Sequence, residues 1–260
     1  MGKQLLIYEK VIPISKERHL DWSVKSGKDY SFSNNVNSLP LMAVEFLNAA
    51  SEYTIVFVGN QETGNIVPAA IVGLGNENLY LTEAGDWKAS YIPAFVRRYP
   101  FVFAGNQAGD TLTLCIDEDF EGCNQEGRGE RLFDAEGEQT QYLKGTLEFL
   151  QEYQAQFQRT QLFCKRLSEF GLLEPMQASL SLPSGQKTTL DGFMGINREK
   201  LKELTGEQLS QLNALDELEL IYLHLQSVRR FADMADLIPE DFEILDTDSA
   251  SSKEEVLAEV

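Results

Sequence analysis

Two short stretches gather the groups of this chain that could do chemistry. The first runs Asp86-Trp87-Lys88-Ala89-Ser90-Tyr91-Ile92-Pro93-Ala94-Phe95-Val96-Arg97-Arg98-Tyr99-Pro100-Phe101 and sets bulky aromatics around adjacent arginines. A guanidinium walled by rings can hold a carboxylate or a phosphate through parallel N–H···O bonds. Trp87, Tyr91, Arg97, Arg98 and Tyr99 are therefore the candidate ligand-binding residues. Rings at this spacing also build cores, and the arginines can serve instead as internal partners for Asp117, Glu118 and Asp119.

Those acids open the second stretch, Asp117-Glu118-Asp119-Phe120-Glu121-Gly122. It begins like a calcium loop, with acids at positions 1, 3 and 5 and glycine at 6, but Arg128 stands at position 12, where a bidentate Glu is required. An EF-hand is excluded. Asp117 and Asp119 stay as candidates for a looser hard-cation site, and Asp117 and Glu118 as paired carboxylates for acid–base work; the plainer role is a solvated strand end. His19 and His224 are the only histidines, so no multi-histidine metal site forms within one chain. His224 lies in the helical pattern Ile221-Tyr222-Leu223-His224-Leu225, where a buried, satisfied imidazole is the expectation. His19 could pair with Cys115 or Cys164 as base and nucleophile. Gly73-Leu74-Gly75 and Gly59-Asn60 lack the spacing of a phosphate-cradling loop, and GxxxxGK[ST] does not occur. No cofactor is expected.

The elements that must position these groups are legible from periodicity and turn residues. Apolar or alternating runs at 5–8, 53–58, 66–72, 78–81, 100–104 and 111–116, parted by Gly-Asn pairs, predict an antiparallel sheet. Pro40 and Pro93 suit first helical turns, opening helices over 41–50 and 94–98. Residues 120–138, rich in glycine and acid, read as a long exposed loop. A single helix is predicted over 140–170, with Gly171 as its stop. A hairpin follows, 177–182 with 187–190, continued by 192–196. Asn197 caps the next helix, and Thr205 with Gln208 makes a capping box. An apolar stripe then runs from Leu209 to Leu237, its continuity through Asp216 left open. The fold class is α+β: a β-rich region over 1–138, a helix-rich region with a hairpin over 139–239, packed as two regions or one continuous domain, and an acidic flexible tail over 240–260.

Composition bounds the partners. The 260 residues carry 41 acids against 22 lysines and arginines, a net charge of −19 that repels nucleic acid and anionic membrane surfaces. Residues 117–138 and 240–260 each contribute a net −7, which leaves the surface around Arg97 and Arg98 free to be locally basic. Three cysteines without CxxC spacing, no signal-like opening and no apolar run near ~20 residues point to a reducing, cytoplasmic setting without membrane insertion. The leucines around Ile221 lie on nearly every side of the last helix, so an isologous homodimer through the C-terminal helices is expected, or else coverage by the N-terminal sheet.

Several segments resemble the SapC family of Gram-negative bacteria. They are Tyr8-Glu9-Lys10-Val11-Ile12-Pro13 with Glu17-Arg18-His19, Pro40-Leu41-Met42-Ala43-Val44-Glu45-Phe46, the run from Tyr91 to Phe101, Cys115-Ile116-Asp117-Glu118, Gly171-Leu172-Leu173-Glu174-Pro175, Leu190-Asp191-Gly192-Phe193 and Ile221-Tyr222-Leu223-His224-Leu225-Gln226-Ser227. The resemblance covers residues 5–237, with the run through Arg97 and Arg98 its most specific piece. It implies a link to surface-layer (S-layer) gene clusters and the company of TonB-dependent receptors, halogenase-like flavoproteins and cupin-like proteins. A permease label does not fit a chain without a membrane span. The function implied is an accessory binding protein of an S-layer or TonB-linked uptake pathway, taking a peptide, a protein or a small anionic ligand. The alternative is a peptide- or sugar-modifying enzyme, metal-assisted and working with flavin- or iron-dependent neighbours. In that case His19, Glu45, Asp117 and Glu118 are the versatile groups inside the family-like segments.

Overall fold

The continuous apolar runs at 53–58 and 66–72 form the centre of a sheet buried on both faces, which is why they do not alternate with polar residues. In the computed structural model, which describes residues 6–105, 112–183, 185 and 187–239, this sheet has five antiparallel strands. Their spatial order is Leu173–Ser181, Lys187–Ile196, Thr54–Asn60, Asn65–Ile71 and Ser38–Pro40. Strands from both sides of residue 138 thus share one sheet. Ile55, Phe57 and Ala70 face a core shared with Phe46, Phe163, Leu167 and Ile221. Val56, Ala69 and Phe193 face a second core closed by Phe231, Met234 and Ile238. Burying a side chain of this kind stabilises the fold by roughly 2 kcal/mol.

A second sheet pairs Val11–Pro13 with Leu112–Asp117, which pairs with Phe101–Gly105. The long helix Gln141–Glu169 joins the two sheets. Its buried stripe runs from Leu143 and Leu150, packed near the second sheet, through Tyr153 and Phe157 to Phe163 and Leu167 on the first. Thr140 caps its start by accepting from Leu143 N. At its end Gly171 takes φ 65° while Gly171 N and Leu172 N return to the carbonyls of Ser168 and Leu167, a Schellman stop.

Several expectations are corrected. Residues 120–138 are not a featureless loop: Cys123–Asn124 and Glu130–Arg131 both pair with Ser23–Val24, and Leu132 and Phe133 are buried behind them. Pro40 closes an edge strand, and the helix expected after it is a 3-10 turn, Ala43–Glu45, running into Phe46–Ala49. The segment around Tyr8 is buried turn, not strand. In the run near 78–81, Glu77–Asn78 pairs with Gly73–Leu74 and Leu81 makes an isolated bridge to Trp87, so no continuous strand forms. The stripe after Leu209 is three helices, Gly206–Ala214, Glu217–Ser227 and Arg230–Ala235, broken at Asp216, whose φ of 58° no continuous helix allows. The acidic stretch 240–260, expected as a flexible tail, lies outside the described residues.

His224 closes a gap in the five-stranded sheet. Lys187–Ile196 and Thr54–Asn60 pair at Met194 and Phe57, and the same register would next bring Ile196 opposite Ile55. The imidazole sits there instead, with Nδ1 2.9 Å from Ile55 O and Nε2 accepting from Ile196 N at 3.0 Å. Ser227 Oγ accepts from Ile55 N at 3.0 Å. One helix face thereby satisfies backbone groups that the strands leave unpaired.

Candidate functional site

The acids at the end of Leu112–Asp117 are committed to structure. Asp117 is fully buried; its Oδ1 accepts from Lys10 N (3.0 Å) and Asp119 N (3.2 Å), its Oδ2 from Glu9 N (2.8 Å) and Tyr99 OH (3.4 Å). Four donors occupy both oxygens, which leaves little room for a cation or a travelling proton. Among the described residues no three metal-binding side chains cluster, and the Asp119 carboxylate stands 4.0 Å from Lys10 Nζ.

Glu118 turns the other way. It receives Arg18 through Nε and Nη2, the latter at 2.6 Å, and Lys10 Nζ at 3.0 Å. These cations hold its carboxyl well below the usual range, at about 2. His19 is fully buried beside it, with Nε2 3.3 Å from Glu118 Oε1 but out of hydrogen-bond alignment. Burial pushes this imidazole below its ordinary pKa, against the pull of Ser15 and Glu118. Its ring neighbours are Ser15, Glu118 and Trp22, so neither Cys115 nor Cys164 meets it. Burial raises the pKa of both thiols, Cys164 most, so neither is an activated nucleophile.

Glu45 shares no partner with that cluster. It is 3% exposed and accepts from Met42 N (2.7 Å), Ala94 N (2.7 Å) and Tyr91 OH (2.8 Å). Burial raises its pKa against those bonds. The carboxylate ties the turn Ala43–Glu45 to the start of Ala94–Arg97, the short helix that presents the arginines.

The two arginines take opposite positions. Arg97 is exposed, its Nε donating to Ile92 O at 3.0 Å and its guanidinium 5.4 Å from the Phe149 ring centre and 5.9 Å from that of Tyr91. Arg98 is 6% exposed and sits in a box of rings: Phe95 at 4.4 Å, Tyr153 at 4.7 Å and Tyr8 at 5.6 Å. Its Nε and Nη2 are buried without a hydrogen-bond partner. Among the described residues neither arginine forms an ion pair, and neither meets the acids at 117–119. Tyr99 stacks on Phe32 at 4.1 Å, beside Tyr8 at 5.1 Å. Trp87 lies elsewhere, donating to Tyr53 OH at 2.7 Å.

Arg97, Arg98 and Tyr99 come together along a cleft of about 390 Å³, lined also by Tyr142, Gly145, Thr146 and Phe149. Tyr91 backs Arg97 from outside it. Sequence reasoning misses the helix side of this cleft, although a signal exists. Tyr142, Gly145, Thr146 and Phe149 follow i, i+3, i+4, i+7 spacing, a second face beside the buried stripe. The glycine within that face has open space where a Cβ would stand. No carboxylate lines the cleft, and the first turn of the helix carries no acid. In a chain with 41 acids this is a local positive field, reinforced by the N-terminal end of the helix dipole.

No curated protein and no solved structure matches this chain. A family model described as SapC matches residues 14–234, a span that holds His19, Glu45, the arginine segment, the acids at 117–119 and His224. By that match, the chain belongs to the SapC family.

Proposed function

We propose that this SapC-family protein is an accessory binding protein that holds the anionic group of a small ligand, a peptide or a protein segment in the cleft beside Arg97. The supporting observation is the pair of arginines without ion-pair partners, set in an acid-free cleft of a strongly acidic chain. The setting, an S-layer or TonB-linked uptake pathway, is supported by the company the family keeps. Binding is favoured over catalysis because the side chains of Glu45, Asp117 and Glu118 are buried and already hold backbone or cationic partners, while His19 is fully buried.

Thermal melting with a panel of small anions, run on the natural chain and on Arg97→Ala, tests this. A ligand at tenfold excess over its Kd stabilises the folded state by about 1.4 kcal/mol, or roughly 3–5 °C for a chain of this size. The natural protein is expected to show such a shift with at least one anion, and Arg97→Ala to lose it. Equal shifts in both proteins place the binding elsewhere.

A further inference from the structure

Resting on that reading, we propose that the anionic group is a carboxylate carried on a flat apolar body rather than a phosphate. The helix ends nearest the cleft have already used amides that a phosphate would seek. Leu143 N is taken by the Thr140 side chain and Ala94 N by Glu45. The exposed cation at the cleft is Arg97. With Nε committed to Ile92 O, the terminal nitrogens, one side of which meets the Tyr91 hydroxyl, supply the contact edge, whose planar fork matches a carboxylate.

The rest of the cleft suits a hydrocarbon. Phe149, Phe101 and the rings of Tyr142 and Tyr99 form its walls, and its neutral polar groups are Gln141, Thr146 and the hydroxyls of Ser26 and Tyr142, the last two 3.2 Å apart. Gly145 keeps it open. Glycine inside a helix costs about 1 kcal/mol relative to alanine, and here no close packing demands it, because an added Cβ would meet nothing within 4 Å. A side chain there would occupy the place of the ligand body. The volume of about 390 Å³ falls in the range of small-molecule sites.

Isothermal titration of the full chain at low ionic strength separates the cases, with phenylacetate, phenylacetamide and inorganic phosphate as probes. Phenylacetate is expected to bind saturably, and phenylacetamide and phosphate at least tenfold more weakly. Arg97→Lys keeps the charge but loses the fork and should weaken phenylacetate about tenfold. Gly145→Leu should abolish phenylacetate binding while melting at or above the natural temperature, which separates a filled cleft from a damaged fold. Phosphate binding as tightly as phenylacetate overturns the carboxylate assignment and leaves the anion site standing. Phenylacetamide binding equally well, or Gly145→Leu retaining full affinity, likewise overturns it. If none of the probes binds at millimolar concentration, the reading of the cleft as an anion site falls with it.

Discussion

Arg98 shows how a charge can be kept indoors without a counter-charge. Three ring faces within 4.4 to 5.6 Å stabilise its guanidinium, each by roughly 0.5–2 kcal/mol. Against that stand the lost hydration and the two unpartnered nitrogens. The terms nearly cancel, so Arg98→Met, apolar and of similar length, is expected to unfold in urea within about 1 kcal/mol of the natural chain while binding anions more weakly. A loss of several kcal/mol would mean that the arginine is a structural post and nothing more. Asp117 is the opposite case, a buried carboxylate with every lone pair used. Asp117→Asn turns an amide donor toward backbone N–H groups and should cost about 2–3 kcal/mol by urea unfolding. A change under half that would show that the bonds to Glu9 and Lys10 carry little weight. Arg97, Arg98 and Tyr99 stand out in the sequence as a cluster of useful groups. That Arg97 is exposed and Arg98 boxed is not legible there, because Tyr8 and Tyr153, which build the box, lie far away along the chain.

Elements whose signals close within a few residues are the ones the sequence makes plain. Thr140, Gly171, Asn197 and the Thr205–Gln208 box each bond within two to five positions, and the helices they bound match expectation closely. Pairings across long separations are hidden: nothing near Cys123 or Glu130 announces that Ser23–Val24 will pair with both. The helix Glu217–Ser227 combines both kinds, a readable apolar stripe and an unreadable task, the insertion of His224 between strands. That task requires a neutral ring with its proton on Nδ1, since Nε2 accepts from Ile196. Burial accordingly lowers the His224 pKa to about 4, below its ordinary 6.5. As pH falls from about 6.5 to 4, the unfolded chain takes up a proton that the folded chain refuses. This contribution, present in full above 6.5, is lost over that window, on the order of 3 kcal/mol in all. Urea unfolding at pH 7 and pH 4.5 should show it, with His224→Gln, which keeps a donor and an acceptor, showing a smaller drop. The remaining slope belongs in part to His19, whose burial pushes the same way. An undiminished slope in His224→Gln would remove the seam from the explanation.

For the whole molecule, the α+β class and the family are readable in the chain, whereas the cleft is not. It forms where the short helix Ala94–Arg97 meets the first turns of Gln141–Glu169, and only the completed fold sets these side by side. Val44, Leu47, Leu215 and Tyr222 remain exposed on the short and C-terminal helices. The homodimer expected through the C-terminal helices should scatter light with a mass near twice 29.3 kDa, and a mass near one chain rejects it. The claim on which the functional account depends is narrower than assembly and is tested most directly by nitrogen-15 chemical-shift mapping during a phenylacetate titration. Saturable shifts of the Arg97 side-chain N–H and of the Tyr142, Thr146 and Phe149 amides, absent in Arg97→Ala, are the expected result. Shifts confined to any other surface, or none up to saturating millimolar ligand, would contradict it.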